Sequence, residues 1–134
     1  MPCVAHAALG GDLASIDHEQ AALQAERVVT PAVAYDLHEL ITPNGTRVRE
    51  YLDRSGRVFA VSWSGPRLPD LGQLLGAYAE RYAAAVRSRQ ATRRSLLTSA
   101  PDLQLSATRL PRGFSGQALL PAAVPAGVRR EELR

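Results

Sequence analysis

Hydrophobic and polar residues alternate most regularly between Tyr35 and Trp63. Two turn signals interrupt this stretch. Asn44-Gly45 suits a two-residue type I′ turn, and Ser55-Gly56 is a weaker candidate of the same kind. The pattern therefore predicts a three-stranded antiparallel meander.

Two-residue loops at both turns fix the register of the three strands. Leu37 then lies opposite Leu52, Leu52 opposite Phe59, and Val48 opposite Trp63. Side chains alternate between the faces with period two, so a slip of one residue would exchange them. One face collects apolar side chains, namely Tyr35, Leu37, Ile41, Val48, Leu52, Phe59, Val61 and Trp63. The other face collects Asp36, His38, Arg49, Tyr51, Asp53 and Ser62.

Two glutamates interrupt the apolar face, because this register places Glu39 directly opposite Glu50. Facing side chains on neighbouring strands lie about 4.5–5.5 Å apart at Cβ, where like charges repel. Three arrangements would relieve the repulsion. One carboxyl stays protonated through a raised pKa, an arginine bridges the two, or the pair lies where the apolar cover ends.

A helical repeat of apolar residues follows the meander, from Asp70 to about Arg87. Asp70 is a candidate N-cap, and at 1.5 Å per residue the helix would be roughly 27 Å long. Its apolar stripe consists of Leu71, Leu74, Leu75, Tyr78, Tyr82, Ala85 and Val86. We expect this helix to pack across the apolar face of the meander.

The segments on either side complete the expected architecture. Asp12–Glu26 predicts a short N-terminal helix, and Val28–Ala34 leads into the first strand. Residues 88–101 are typical of an exposed, arginine-rich connector. Asp102–Leu110 and Phe114–Leu120 predict a final hairpin across the turn between them.

These elements predict an α+β protein. Its antiparallel sheet has about five strands: a three-stranded meander, then a long helix on one face, then a hairpin. Residues 8–128 form a single domain, and residues 129–134 are expected to be a frayed tail.

The first seven residues match the end of a signal peptide. Val4-Ala5-His6-Ala7 before Ala8 has the small-x-small pattern of a signal-peptidase site, although no apolar region precedes it. We interpret residues 1–7 as a signal-peptide remnant; the alternative is an ordinary alanine-rich N-terminus. Cys3, the single cysteine, would be lost with the leader and can form neither an internal disulfide nor a metal site.

Composition limits the remaining classes. The formal net charge is +3, and all 16 basic residues are arginine. This charge is too small to argue for nucleic acid, and no stretch is long enough to span a membrane. The pattern calls for no cofactor.

Four blocks of sequence resemble a known family: AALGGD, HELITPNGTRVREY, GRVFAVSWSGPRLPDLGQLLGAY and FSGQALLPAAVPAGV. Together they are similar to the exported proteobacterial family catalogued as domain of unknown function 2844. The resemblance implies export to the periplasm or the medium through a signal peptide, which is truncated here. It implies no activity, so no catalytic residue is carried over.

The sharpest chemical hypothesis concerns the two glutamates. Carboxyl groups about 5 Å apart act as nucleophile and acid in a retaining glycosidase, so Glu39 and Glu50 are candidate catalytic residues of a small hydrolase, with His38 and Tyr51 on the opposite face. The alternative is a structural pair bridged by Arg47, Arg49 or a later arginine.

Other candidates are ligand-binding rather than catalytic. Arg49, Tyr51 and Trp63 are candidate ligand-binding residues, with Trp63 where the third strand meets the helix. The arginines from Arg87 to Arg94 are candidates for anionic lipid, lipopolysaccharide or nucleic acid, or are a solvated connector. The histidines lack metal-ligand spacing, so no metal site is expected.

These observations favour a non-enzymatic periplasmic or secreted module that binds a partner protein or another envelope component. The alternatives are the glutamate-pair hydrolase and a binder of a small apolar ligand between sheet and helix. The sequence leaves the partner and the oligomeric state open.

Overall fold

The computed structural model of the protein describes residues 9–87 and 95–133. The helices and strands in chain order are α1 (Leu13–Leu23), β1 (Glu26–Pro31), β2 (Tyr35–Ile41), β3 (Arg47–Asp53), β4 (Val58–Gly65), α2 (Leu71–Leu75), α3 (Ala79–Arg87), β5 (Ser95–Ser99), β6 (Gln104–Leu110) and β7 (Gly113–Leu119). Short 3₁₀ helices cover Gly76–Tyr78, Pro121–Ala123 and Arg130–Glu132.

Within the described residues the strands form one antiparallel sheet of seven strands, in the order β1-β2-β3-β4-β7-β6-β5. The predicted α+β class is therefore confirmed. The predicted number of about five strands is too low, because β1 and β5 were expected as a lead-in and a connector. Both are edge strands, and Pro31 at the end of β1 suits an edge because it has no amide hydrogen to donate.

The predicted register is wrong between β2 and β3 by one residue. Thr42 and Thr46 close a three-residue loop, with the Thr42 amide donating to the Thr46 carbonyl at 2.9 Å and Gly45 at a φ of +90°. Leu37 consequently pairs with Tyr51 instead of Leu52. A loop of three residues with glycine in the left-handed position is the next commonest hairpin connection after the two-residue turn.

The second hairpin also has a three-residue loop, closed by Asp53 and Arg57, with Gly56 at a φ of +89°. Here a register shift between Tyr51 and Leu52 compensates for the longer loop. Val48 therefore still pairs with Trp63, as predicted.

The predicted long helix is broken. Asp70 caps α2 as expected, since its Oδ1 accepts from the Gln73 amide at 3.2 Å. The helix then ends at Gly76, whose φ of +53° and ψ of −116° no regular helix contains. A 3₁₀ turn follows, and α3 resumes the chain to Arg87.

Helices and sheet bury one core. Leu74, Leu75 and Ile16 of the helices are each at most 1 % exposed, and they pack with the side chains on one face of the sheet. We call this the helical face, formed by Leu40, Val48, Val61, Trp63, Leu105 and Ala118. Full burial of one such side chain contributes about 1.5–3 kcal/mol.

We call the opposite surface of the sheet the open face. A second apolar cluster covers one part of it and consists of Tyr51, Phe59, Ala60, Leu119 and Leu133, with Tyr35 and Leu37 packed against them. The predicted apolar face is therefore divided between two clusters on opposite sides of the sheet.

Residues 129–133 do not form the frayed tail that the sequence predicts. Leu133 is fully buried in the second cluster, and its carbonyl accepts from the Gln117 side chain. The Tyr51 hydroxyl also donates to the Glu132 carbonyl at 3.4 Å. A single leucine anchors this end because it fills apolar space left on the open face.

No helix among the described residues is long and apolar enough to cross a membrane.

Candidate functional site on the open face of the sheet

The centre of the open face is polar because the register aligns polar side chains in two rows. One row runs across five strands through Glu39, Arg49, Ser62, Gln117 and Ser106. The next row runs through Ile41, Arg47, Ser64, Ser115 and Thr108. On each strand, the residue of one row lies two positions from the residue of the other row. Side chains alternate between the two faces of a sheet with period two, so both rows point to the same side.

These rows line a depression of about 350 Å³, which we call the trough. Its polar lining consists of Arg47, Arg49, Ser62, Ser64, Ser106, Thr108, Ser115 and Gln117. A smaller cavity of about 100 Å³ shares Ser106 and Gln117 with the trough and is also lined by Arg130. Hydroxyl and amide groups thus lie between arginines at both ends.

The carboxylate of Glu39 pairs with two guanidinium groups at one end of the trough. Arg49 Nε donates to Glu39 Oε2 at 2.8 Å, and Arg47 Nη1 lies 3.7 Å from the same oxygen. The Arg47 side chain is 52 % exposed and that of Glu39 is 17 % exposed. The three side chains together carry one positive charge, and Arg47 is the better exposed cation.

The candidate ligand-binding residues occupy three different environments. Arg49 lines the trough directly. Trp63 also borders the trough, but it is 2 % exposed, and its ring lies over Gly116 on the helical face, where a methyl group on Gly116 would overlap it. Tyr51 is buried in the second cluster, with its ring centroid 5.3 Å from that of Tyr35. Burial raises the pKa of Tyr51 to about 12.

The predicted pairing of Glu39 with Glu50 is wrong. The shifted register places Glu39 opposite Arg49 and His38 opposite Glu50, so the two carboxyl groups project from opposite faces of the sheet. A retaining glycosidase needs both carboxyl groups on one side of the bond that is cut. The geometry therefore gives no support to the glutamate-pair hydrolase. Glu39 instead pairs with Arg47 and Arg49, two of the arginines named in the structural alternative.

Glu50 is buried between the sheet and α1. It is 0 % exposed, and neither carboxyl oxygen has a hydrogen-bond partner among the described residues. Burial raises its pKa to about 8, and the nearby carboxyl of Glu19 adds to the rise while Arg27 opposes it. Glu19 is 2 % exposed, and burial together with the charge of Asp70 raises its pKa to about 7. A raised pKa for one glutamate was one of the three arrangements considered, but the pKa of Glu50 is raised by burial and by Glu19, not by Glu39.

Arg27 acts on the buried Glu50 and also contacts His38 and Asp17. Its Nε donates to His38 Nδ1 at 3.1 Å, and its guanidinium also pairs with Asp17 of α1. Burial lowers the pKa of His38, and the positive charge of Arg27 lowers it further. The lowered pKa favours the neutral imidazole, whose Nδ1 accepts from Arg27.

No group of three or more histidine, cysteine or acidic side chains among the described residues could hold a metal ion. The space between sheet and helices, where an apolar ligand was an alternative, is filled by core side chains including Val61, Leu74 and Leu75. Arg87 ends α3 with its Nη2 3.8 Å from Glu80 Oε1. The rest of the arginine-rich segment, residues 88–94, lies outside the described residues.

Sequence reasoning missed the trough although the signal was present. The strand residues 62 and 64, 106 and 108, and 115 and 117 are all Ser, Thr or Gln at a spacing of two. Such spacing on three strands indicates one polar sheet face. It could not be recognised without knowing that β4 pairs with β7, which joins segments about fifty residues apart in the chain.

Fold and site together define an α+β protein with one helix-covered sheet face and one open, arginine-flanked polar face. The chain belongs to a protein family of unknown function, DUF2844, whose sequence model matches residues 5–133. No curated protein and no solved structure is significantly similar to the chain.

Proposed function

We propose that the protein is a non-enzymatic, exported binding module that holds a polar, negatively charged component of the cell envelope in the trough. The observation that carries this proposal is the trough of about 350 Å³ lined by hydroxyl groups, an amide and two arginines. Such a lining contributes little to the core, since the polar groups face away from the helices.

The charge balance supports an anionic ligand. Glu39 neutralises one guanidinium, which leaves one positive charge beside five hydroxyl-bearing side chains: Ser62, Ser64, Ser106, Thr108 and Ser115. Hydrogen bonds from arginine to a carboxylate or phosphate are about twice as strong as those between neutral groups. Hydroxyl groups donate or accept as a ligand requires, so they suit the neutral part of a sugar derivative.

The carboxylate beside the trough is held in an ion pair, which supports binding rather than catalysis. This carboxylate, that of Glu39, is tied to Arg49 at 2.8 Å, and the second glutamate lies on the other side of the sheet. A general acid or base must be able to reach its substrate, and the carboxylate of Glu39 is already held by Arg49 and Arg47.

Export is supported by the small-x-small pattern that ends at Ala7. Leu9 is 2 % exposed, and its amide donates to the Leu74 carbonyl at 3.1 Å. Cleavage after Ala7, as the sequence pattern predicts, would leave every packed residue that the structure describes in place. N-terminal sequencing of the protein from a periplasmic or culture fraction of its host tests this part, with Ala8 as the expected first residue.

The binding proposal is tested by NMR titration of the amide resonances with three sugars: a galacturonate disaccharide, glucose 6-phosphate and uncharged maltotriose. We expect shifts confined to β3, β4, β6 and β7 with at least one charged sugar and smaller shifts with maltotriose. Arg47→Gln removes the exposed cation and should weaken binding roughly tenfold, because a charge-assisted hydrogen bond contributes about 1.5–3 kcal/mol.

The matched control is Arg57→Gln, which removes the same charge from the exposed β3–β4 loop at the opposite end of the sheet. It should leave the titration unchanged. Shifts that spread over the helices, or equal losses in the two variants, would contradict binding in the trough. Absence of shifts with both charged sugars would exclude these ligand classes.

A further inference from the structure

Two loops at one end of the sheet form an exposed surface that is both apolar and basic. One loop is Gly65–Leu68, after β4, and the other is the β6–β7 hairpin, Arg109–Phe114. We call this surface the tip. It contains a shallow depression of about 650 Å³, whose lining is largely apolar: Ser64, Gly65, Pro66, Leu110, Pro111, Arg112, Gly113 and Phe114.

The two loops share the sequence Arg-Leu-Pro, at residues 67–69 and 109–111. Leu68 is 43 % exposed and Leu110 is 46 % exposed, which is high for a leucine. Arg67, Arg109 and Arg112 are exposed beside them. Each loop thus presents apolar side chains and guanidinium groups to the same solvent region.

The tip is free of acidic residues over long stretches of chain. None occurs between Asp53 and Asp70, or between Asp102 and Glu131. Elsewhere ion pairs neutralise arginines, such as those of Arg54 with Asp36 and Arg81 with Asp102, but the described residues form no such pair at the tip. Its positive charge is therefore available to an external anion.

The tip is also well supported by the rest of the fold. The Gly113 backbone packs directly against Gly65, where an added methyl group would overlap the Gly65 carbonyl. Thr46 Oγ1 donates to the Arg67 carbonyl at 2.9 Å, and the Arg109 guanidinium lies 6.0 Å from the centre of the Phe114 ring. Little conformational freedom would be lost when the tip binds.

We propose that the tip docks on an anionic lipid surface, with Leu68, Leu110 and Phe114 at the boundary of the acyl chains and the arginines at the headgroup phosphates. A lipid surface satisfies both features at once, since it offers anionic groups directly above apolar material. Arginine stems can lie along apolar surface while the guanidinium reaches the headgroups, and guanidinium binds phosphate through two parallel hydrogen bonds. This inference does not depend on a ligand in the trough.

The experiment is co-sedimentation of the purified chain with two kinds of vesicle, phosphatidylcholine alone and an equal mixture with phosphatidylglycerol. We expect binding to the anionic vesicles, little binding to the neutral ones, and release at high salt because the charges are exposed. Arg112→Gln should weaken binding about fivefold, since one arginine near an anionic surface contributes about 1 kcal/mol. Leu110→Gln should weaken it by a similar or larger factor.

The matched controls lie at the opposite end of the sheet. Arg57→Gln removes the same charge, and Val33→Gln replaces an apolar residue that is 98 % exposed. Both should bind like the unchanged protein, and circular dichroism checks that all four variants fold. A chain that stays in the supernatant with both vesicles overturns the proposal, in favour of a protein partner for the tip. Equal losses in tip and control variants, or full competition by soluble glycerol phosphate, overturn it as well.

Discussion

The buried carboxyl of Glu50 makes a quantitative prediction about the pH dependence of stability. Its pKa is about 8 in the folded protein and 4.5 when exposed to water. The folded state therefore retains a proton that the unfolded state releases, and stability falls as pH rises between these values. Over the whole interval the loss is on the order of 5 kcal/mol, a large share of the 5–15 kcal/mol typical of a domain.

Glu50 contributes most of the change between pH 7 and 8. Glu19, whose pKa is about 7, is only half ionised at pH 7, so it still contributes roughly 0.4 kcal/mol over this interval, whereas the pKa of His38 lies below its ordinary value of 6.5. Arg27 is the other charged group that acts on Glu50, and it opposes the rise in the pKa of Glu50. The unchanged protein should lose about 1.4 kcal/mol between pH 7 and 8, of which Glu50 contributes about 1 kcal/mol, and Glu50→Gln should reduce the loss to roughly 0.4 kcal/mol, because an amide does not ionise.

The assay is urea denaturation at pH 7, 8 and 9 and constant ionic strength, followed by the fluorescence of Trp63, the single tryptophan. Glu39→Gln is a matched control, since it removes a carboxylate from the neighbouring strand on the open face. It should retain the full slope although it breaks an ion pair. A free energy of unfolding that is flat from pH 7 to 9, or a loss between pH 7 and 8 that Glu50→Gln leaves undiminished, would refute this reasoning.

Two further predictions concern packing. Leu133→Ala should lower the free energy of unfolding by about 2–5 kcal/mol, measured by urea denaturation, because it empties a buried site in the second cluster. The control Leu13→Ala, at a residue 46 % exposed, should lower it far less. Equal effects of the two substitutions would mean that Leu133 is not anchored. Gly116→Ala should cost about 1–3 kcal/mol and shift the Trp63 fluorescence, because the added methyl group overlaps the indole ring, and the neighbouring Ser115→Ala serves as its control. Unaltered fluorescence in Gly116→Ala would show that the ring does not lie over this glycine.

Local sequence patterns predicted the helices and strands better than they predicted which strands pair. The strands β2, β3, β4, β6 and β7 follow from alternation, and the cap at Asp70 follows from residue type. Glycine at Gly45 and Gly56 signals a turn, but it does not tell whether two or three residues form the loop. This one-residue difference in loop length decides whether Glu39 faces Glu50 or Arg49.

Long-range pairing accounts for what the sequence could not predict. β5 was interpreted as part of a connector because arginines precede it, but it pairs with β6 at the edge of the sheet. Leu133 has no periodic neighbours, so nothing local indicates that it is buried. The trough requires β4 to pair with β7, and this pairing is set by the whole sheet rather than by either strand.

The anchoring of Leu133 has a consequence for the order in which the protein can fold during synthesis. Tyr51 and Phe59 leave the ribosome long before residue 133, the last member of their cluster. The helical face can collapse once β7 has emerged, since its members end near Leu120. The aromatic cluster on the other side stays uncapped until residue 133 has emerged, which leaves a period in which its rings are accessible to chaperones.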